Sequence, residues 1–382
     1  MEKKGLIIKQ QSGFRRQRQT KDNLAYLIQK ITESFNRGKR VLSIFFDIQS
    51  AFDRVWHAGL IRKMIDMEIP SPLISWVTKF LDQRTFCVIV GNAISSKRIV
   101  TAGVPQGAVL SPTLFSIFIN DIPKTEKKNK CNFLLFADDL TSFFIFRKLN
   151  NKLKKKIHNY LKELEEWLSC WRLSMSANKS SFIIFNNSNS KIESENLDLN
   201  LFKEKIDKTE VTTFLGLRFD PKLNFHHQIK YLIDSCNKRL NIIKILSNKD
   251  WKIDSNILLQ IYKLLIRSLL EYSSIIYTSL NKENKTKLQV IQNNCLRIIL
   301  KKNSYTRISD LHNLANIETI ESRFKKLNSS YFRRGLINKN PIILELINDY
   351  INYSAARLIK KETPLCPVKN ELLVLLNSLQ PP

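Results

Sequence analysis

Apolar positions along this chain fall into two textures. Up to about residue 222, short apolar runs alternate with amphipathic stretches; beyond 225 the apolar spacing is helical. VLSIFFD (41–47) is a nearly continuous apolar run that ends on an aspartate, the pattern of a buried strand. AFDRVWHAGLIRKMI (51–65) fits a helix. FCVIVGNAISSKRIV (86–100) reads as a hairpin turning at Gly91–Asn92. In GAVLSPTLFSIFINDIP (107–123), Ser111 is placed as N-cap and Pro112 as first-turn proline of an apolar helix that runs to Ile122 and stops at Pro123. CNFLLF and TSFFIF read as paired strands around two aspartates. IHNYLKELEEWLSCWRL (157–173) puts Ile157, Tyr160, Leu161, Leu164, Leu168 and Trp171 on one helix face. SFIIF (181–185) and TTFLGLRFD (212–220) read as further strands. The pattern predicts an α+β part followed, after a boundary near 222, by an all-helical part.

The two aspartates are Asp138 and Asp139, in NFLLFADDLTSFFIF. Successive side chains of a straight strand point to opposite faces, so the pair can serve one site only from a tight turn. Charges held that close to an apolar core are costly unless compensated. A divalent cation compensates them, and Mg²⁺ needs only one or two protein carboxylates, taking phosphate and water for the rest. Asp47, at the end of the 41–47 strand, is a third carboxylate where strand ends hold groups firmly.

Composition narrows the partner. Lysine and arginine number 62 against 34 acidic residues, a formal charge of +28. Basic residues are spread along the chain, as in KLKKK (152–156) and FRR (332–334), so a broad phosphate-binding surface fits better than a polybasic tail. At 43% hydrophobic, the chain can bury real cores. The six cysteines (Cys87, Cys131, Cys170, Cys236, Cys295 and Cys366) form no CxxC and read as buried thiols in a reducing compartment. The N-terminal stretch has no signal-peptide core, and no run approaches the ~18 apolar residues of a membrane span, so a soluble intracellular protein without membrane contact is expected. With only nine glycines, each marks a special backbone position.

Taken in order, these motifs resemble the reverse transcriptases of non-LTR (LINE-type) retrotransposons, most closely the jockey-like group. The resemblance runs from QSGFRRQRQTKDNL to about residue 335. FFDIQSAFDRVWH is similar to the family's first catalytic block, AGVPQGAVLSPTLFSIFINDIP to the next, and FADD to the third, usually written YADD. LSMSANKSSFIIF and TTFLGLRFDPKLNFHHQI resemble the two that follow. The fold implied is a right-hand polymerase palm (41–222) with partial fingers (1–40) and a helical thumb-like region (223–335). No element is assigned to a C-terminal tail, 336–382. The activity implied is RNA-directed DNA polymerisation, with two metal ions about 3.5–4 Å apart assisting attack of a primer 3′-hydroxyl on a dNTP. The cofactor implied is Mg²⁺, with Mn²⁺ as substitute; the partners are an RNA template, a DNA primer or target DNA, and dNTPs; the location is nucleus and cytoplasm.

The same resemblance supplies roles. Asp47, Asp138 and Asp139 are the metal ligands. Phe52 lies under the sugar and excludes a 2′-hydroxyl. Gln106 and Gly107 sit beside the nucleotide, with Gly103 allowing close backbone approach. Lys179 stands near the pyrophosphate as acid or charge stabiliser. Leu215–Gly216 grips the primer end. Basic residues after 225 (Lys238, Arg239, Lys244, Arg267 and Arg297) track the duplex backbone.

Departures from the family pattern are Phe136 for tyrosine, and Gln49 and Ser50 where a basic residue is usual. Family blocks that precede QSGF, an endonuclease and an RNase H block are not in this chain. A fragment of a longer frame is therefore expected, with the endonuclease domain in the full-length element. Three alternatives stand beside this reading. An RNA-dependent RNA polymerase would carry a polar residue at Phe52. A group II intron maturase shares VPQG and the paired aspartates. An inactive nucleic-acid-binding remnant would retain the fold alone.

Overall fold

In the computed structural model, which describes residues 5–122, 131–187, 197–354 and 361–379, the 41–47 run is a strand, Arg40–Asp47. Val41 to Phe46 are all buried, as its two-faced apolar pattern requires. It lies inside a six-stranded sheet ordered Asn132–Phe136, Asp139–Phe146, Arg40–Asp47, Ser181–Phe185, Glu204–Lys208, Leu199–Leu201. The first two strands form the antiparallel hairpin expected around the aspartates, with Phe136 opposite Asp139. The last two, Leu199–Leu201 and Glu204–Lys208, extend the sheet with too few apolar residues to show in the sequence.

Two compact units make up the chain. The first comprises Met1–Asn23, Val41–Ile184 and Ser188–Thr209; the second comprises Leu24–Arg40, Phe185–Asn187 and Glu210–Pro382. The first is the mixed α+β part. The helix Asn151–Cys170 buries Ile157, Tyr160, Leu161, Leu164 and Leu168, five of the six positions predicted. Asn150 caps it, accepting from the Leu153 N–H at 2.9 Å. The 86–100 hairpin is present and turns at Gly91, φ +59°.

Three local expectations need correction. The helix drawn over 51–65 begins only at His57. Ser50 takes a left-handed φ of +46°, and residues 50–56 are held as a loop by hydrogen bonds from Gly103 N–H to Val55 O and from Val104 N–H to Phe52 O, both 2.8 Å. The helix after Gly107 spans Ser111–Phe118 rather than reaching Ile122. Ser111 is its first residue and not its cap, because its hydroxyl donates to Pro105 O at 2.6 Å. Pro123 lies outside the described residues. Of the six cysteines, Cys236 and Cys295 are buried, whereas Cys87 and Cys170 are exposed.

The second unit is mainly helical, from His226–Leu246 through Ile320–Ile337. Among the described residues beyond 337 are two α-helices, Pro341–Ser354 and Lys369–Leu379. The first of these buries Ile342, Ile343, Leu346, Ile347 and Tyr350, a helical spacing that the sequence carried. Tyr26, on the helix Thr20–Asn36, donates to Glu345 at 2.6 Å, and Lys30 pairs with Asp349. No described helix is long and apolar enough to cross a membrane.

One buried cation shapes the first unit. Lys63 keeps only 5% of its side-chain surface exposed. Its Nζ donates to Phe118 O, pairs with Asp121 at 2.5 Å and lies 3.6 Å from the Trp171 ring centre. Burial pulls its pKa down to about 8, against the opposing pull of Asp121. Between that value and the ordinary 10.4 of an exposed lysine, the unfolded chain binds more protons than the folded one, so stability rises with pH across that window. Relative to Lys63→Met, the wild type should gain about 3 kcal/mol between pH 7.5 and 10.5. Denaturant titrations at both pH values check this; a difference that stays flat with pH would contradict it.

Candidate active site

Asp138 sits in the two-residue turn between the first pair of strands, and Asp139 opens the second of them. Ala137 takes φ +57° and turns the chain, so the two carboxylates escape the strand's alternation. Asp47 ends the neighbouring strand in the sheet order. The three groups feel one another. Burial, and then the Asp47 carboxylate against the relief of its own backbone hydrogen bond, raises Asp138. Asp139 keeps surface open to solvent, yet desolvation by its surroundings, followed by the charges of Asp138 and Asp47, pushes it up to about 6.

The segment 174–180 runs alongside Asp47. Met175 bridges Ile48, Ser176 N–H donates to Asp47 O at 3.0 Å, and Gln49 N–H donates to Ser174 O at 2.9 Å. Asp47 N–H in turn donates to Ser180 Oγ at 3.3 Å. This pairing carries Lys179 to the cluster, with Nζ 3.9 Å from Asp47 Oδ2. Both side chains are largely exposed, so the pair is a weak one.

Whether a metal ion suits this place is a question of donor chemistry. Carboxylates raised by burial and by neighbouring negative charge, as Asp138 and Asp139 are, offer the hard oxygens that Mg²⁺ favours. Among the described residues, no three His, Cys, Asp or Glu side chains are gathered closely enough to hold an ion by themselves.

The other sequence-predicted residues of this unit gather on the 50–56 and 102–107 loops. Phe52 is half-buried, its ring stacked on Phe115 at 4.7 Å and edge-on to Phe14 at 6.1 Å. Gln106 and Gly107 are exposed, and Gln106 donates to Asp53 at 3.2 Å. Gly103 is forced to be glycine, with φ +90° and Asp53 O only 2.8 Å from where a Cβ would stand. Leu215 and Gly216 belong to the second unit. They are the turn of a hairpin, Thr212–Phe214 with Leu217–Phe219, both with positive φ. Tyr272, which sequence reasoning passed over, donates to Leu215 O at 2.6 Å and packs on Gly216. It also passed over Gln11, Gly13 and Asp53. The scarcity of glycine pointed to QSG, and only the fold showed what lies against it.

The sequence model described as reverse transcriptase (RNA-dependent DNA polymerase) matches residues 2–219. Among curated proteins, the "Probable RNA-directed DNA polymerase from transposon BS" of Drosophila melanogaster is 27% identical over 339 residues, 87% of this chain and 37% of that protein. The RNA-directed DNA polymerase from mobile element jockey of Drosophila funebris is 29% identical over 336 residues, 86% of this chain and 36% of that protein. The chain thus spans little more than a third of the length of these relatives. A solved apo telomerase from Candida tropicalis covers 94% of this chain and 57% of its own, at 13% identity and a TM-score of 0.43, a likeness too loose to bear on function. With well over half of its length matched by the family's own sequence model, the chain belongs to the reverse transcriptase (RNA-dependent DNA polymerase) family.

Proposed function

We propose that this chain is the polymerase portion of a jockey-like non-LTR retrotransposon protein, copying an RNA template into DNA from a primer 3′-hydroxyl. The observation that supports the reading is that the strand ending at Asp47 lies beside the strand that Asp139 opens, with Asp138 in the turn before it, although these residues are far apart in sequence. Asp47 and Asp138 would hold Mg²⁺, or Mn²⁺ in its place, with Asp139 as third carboxylate. Bound there, divalent ions lower the pKa of the attacking hydroxyl and neutralise charge on the leaving pyrophosphate. Lys179 would stabilise phosphate charge, a role supported by its Nζ lying 3.9 Å from Asp47 Oδ2. The partners are an RNA template, a DNA primer or target DNA, and dNTPs, with the endonuclease in the rest of the full-length element. Residues 41–222 act as palm, 1–40 as part of the fingers and 223–335 as thumb, with Leu215–Gly216 as primer grip. The test is primer extension on an RNA template with Mg²⁺, wild type against Asp138→Asn.

Phe52 is the proposed sugar gate. Its ring is backed on one face by buried Phe115, 4.7 Å away. A fixed ring under the sugar rejects a 2′-hydroxyl sterically. Phe52→Val should therefore raise ribonucleotide over deoxyribonucleotide use by about 10- to 100-fold. Single-nucleotide incorporation of each class measures it, and an unchanged ratio removes Phe52 from this role. Phenylalanine here also disfavours an RNA-synthesising polymerase.

A further inference from the structure

Gln11 lies at 1% exposure in the first unit, 126 residues away in sequence from the turn it touches. Residues 10–12 run parallel to the outer strand of the sheet. Ser12 N–H donates to Leu135 O at 2.9 Å, and Leu135 N–H donates to Gln10 O at 3.1 Å. This seats the Gln11 side chain over the turn. Its Oε1 accepts from Ala137 N–H at 3.0 Å and from Gly13 N–H at 2.7 Å; its Nε2 donates to Ala137 O at 3.3 Å. Two backbone donors converge on one side-chain atom, so that atom must be the amide oxygen. Both polar groups of Ala137, the residue that must adopt a left-handed φ to present Asp138, are therefore bound by one buried amide. The same short segment places Phe14 edge-on to Phe52.

We infer that Gln11 is a positioning residue for the carboxylate turn, holding Ala137 in its left-handed conformation so that Asp138 and Asp139 face a metal ion together. The inference rests on the polymerase reading for its consequence, but its geometry stands apart from it. An isolated two-residue turn with alanine at the left-handed position is disfavoured, since glycine or asparagine is the ordinary choice there. The glutamine supplies the missing preference from outside the turn. Outer-shell groups of this kind set ligand orientation, and their loss weakens metal binding by about 10- to 100-fold.

Gln11→Met keeps the side chain's volume and removes all three hydrogen bonds. Three readouts on the full chain test the idea: amide hydrogen exchange at Ala137, binding of Mn²⁺ alone followed by water-proton relaxation, and primer extension. Exchange at Ala137 should quicken by about 10- to 100-fold. The Mn²⁺ midpoint should rise by about tenfold, and extension should lose kcat with little change in the dNTP KM. Tyr160→Phe, which removes a buried hydrogen bond to Ser142 in the same sheet, should lower stability without moving the Mn²⁺ midpoint. Gln11→Glu returns the oxygen that accepts from Ala137 N–H and Gly13 N–H but not the donor to Ala137 O, so protection of Ala137 should fall between wild type and Gln11→Met; it also serves if Gln11→Met does not fold. Unchanged exchange at Ala137 in Gln11→Met overturns the inference, as does an Mn²⁺ midpoint that Tyr160→Phe shifts equally. Exchange in Gln11→Glu as fast as in Gln11→Met overturns it too. A wild type with no extension activity would instead refute the polymerase reading, while the exchange measurement still decides the role of Gln11.

Discussion

Asp138→Asn should reduce primer extension by about 1,000-fold or more while leaving the fold intact. Asparagine keeps the size of aspartate and one of its acceptor oxygens, so the two-residue turn loses little packing. What it removes is a negative charge from a cluster already pressed together by Asp47. In a two-metal mechanism that charge offsets part of the cations' charge, and several kcal/mol of transition-state stabilisation pass through the ions it binds. Each 1.4 kcal/mol is a factor of ten in rate, so a loss of about 4 kcal/mol gives the stated fold. Stability should move the other way. Removing one of three mutually repelling, partly desolvated carboxylates relieves strain, so Asp138→Asn should unfold at an equal or higher temperature than the wild type without metal. Thermal unfolding beside the extension assay separates the two effects. Equal extension by wild type and variant would end the case for catalysis at this cluster.

Gly13→Ala should be the most damaging single-methyl change in the first unit. A Cβ at Gly13 would stand 2.2 Å from Ala137 N and 3.0 Å from both Ala137 Cα and Phe136 C. These are backbone atoms of the carboxylate turn and cannot rotate away. Either the 10–13 segment lifts off the sheet edge or the turn is displaced. The first exposes the bonds that Ser12 and Asn23 make to Leu135 O; the second moves Asp138. Overpacking of this kind costs about 1–3 kcal/mol or more, and extension should fall by at least about 100-fold. Gly91→Ala is the comparison. Gly91, unlike Gly13, lies at positive φ, but nothing stands within 4 Å of its Cβ position, so only the backbone preference of about 1 kcal/mol is lost. Thermal unfolding and extension of both variants decide the matter. A Gly13→Ala protein that extends primers like the wild type would show that the turn tolerates displacement.

Much of this molecule is legible in its residues, because burial imposes a period on them. The run at 41–47 had to be an inner strand, and the stripe from Ile157 to Leu168 had to be a helix face, since either alternative would leave large apolar surfaces in water. The paired aspartates between apolar strands announced a turn, and the family resemblance of five ordered blocks gave the class of polymerase. The charge of +28 called for a polyanion. Weakly patterned strands such as Leu199–Leu201 passed unread because few residues marked them, whereas the helix Pro341–Ser354 was legible from its spacing and its Asn340–Pro341 start but lies beyond the family resemblance.

What the chain order could not carry is proximity. Gln11 against Ala137, Gly13 against the same turn, Lys179 against Asp47, and Phe14 against Phe52 join residues between 38 and 132 positions apart in the sequence. Hydrophobic periodicity reports which side of an element faces the core; it is silent on which distant element arrives there. The sequence by itself therefore determined most of the strands and helices, the polymerase family and which acidic residues to test as metal ligands. The tertiary structure alone decided that the strand ending at Asp47 lies beside the Asp138–Asp139 hairpin, that an alanine takes a glycine's conformation, and that a buried glutamine bonds both of its polar groups, because such contacts exist only after the sheet has closed.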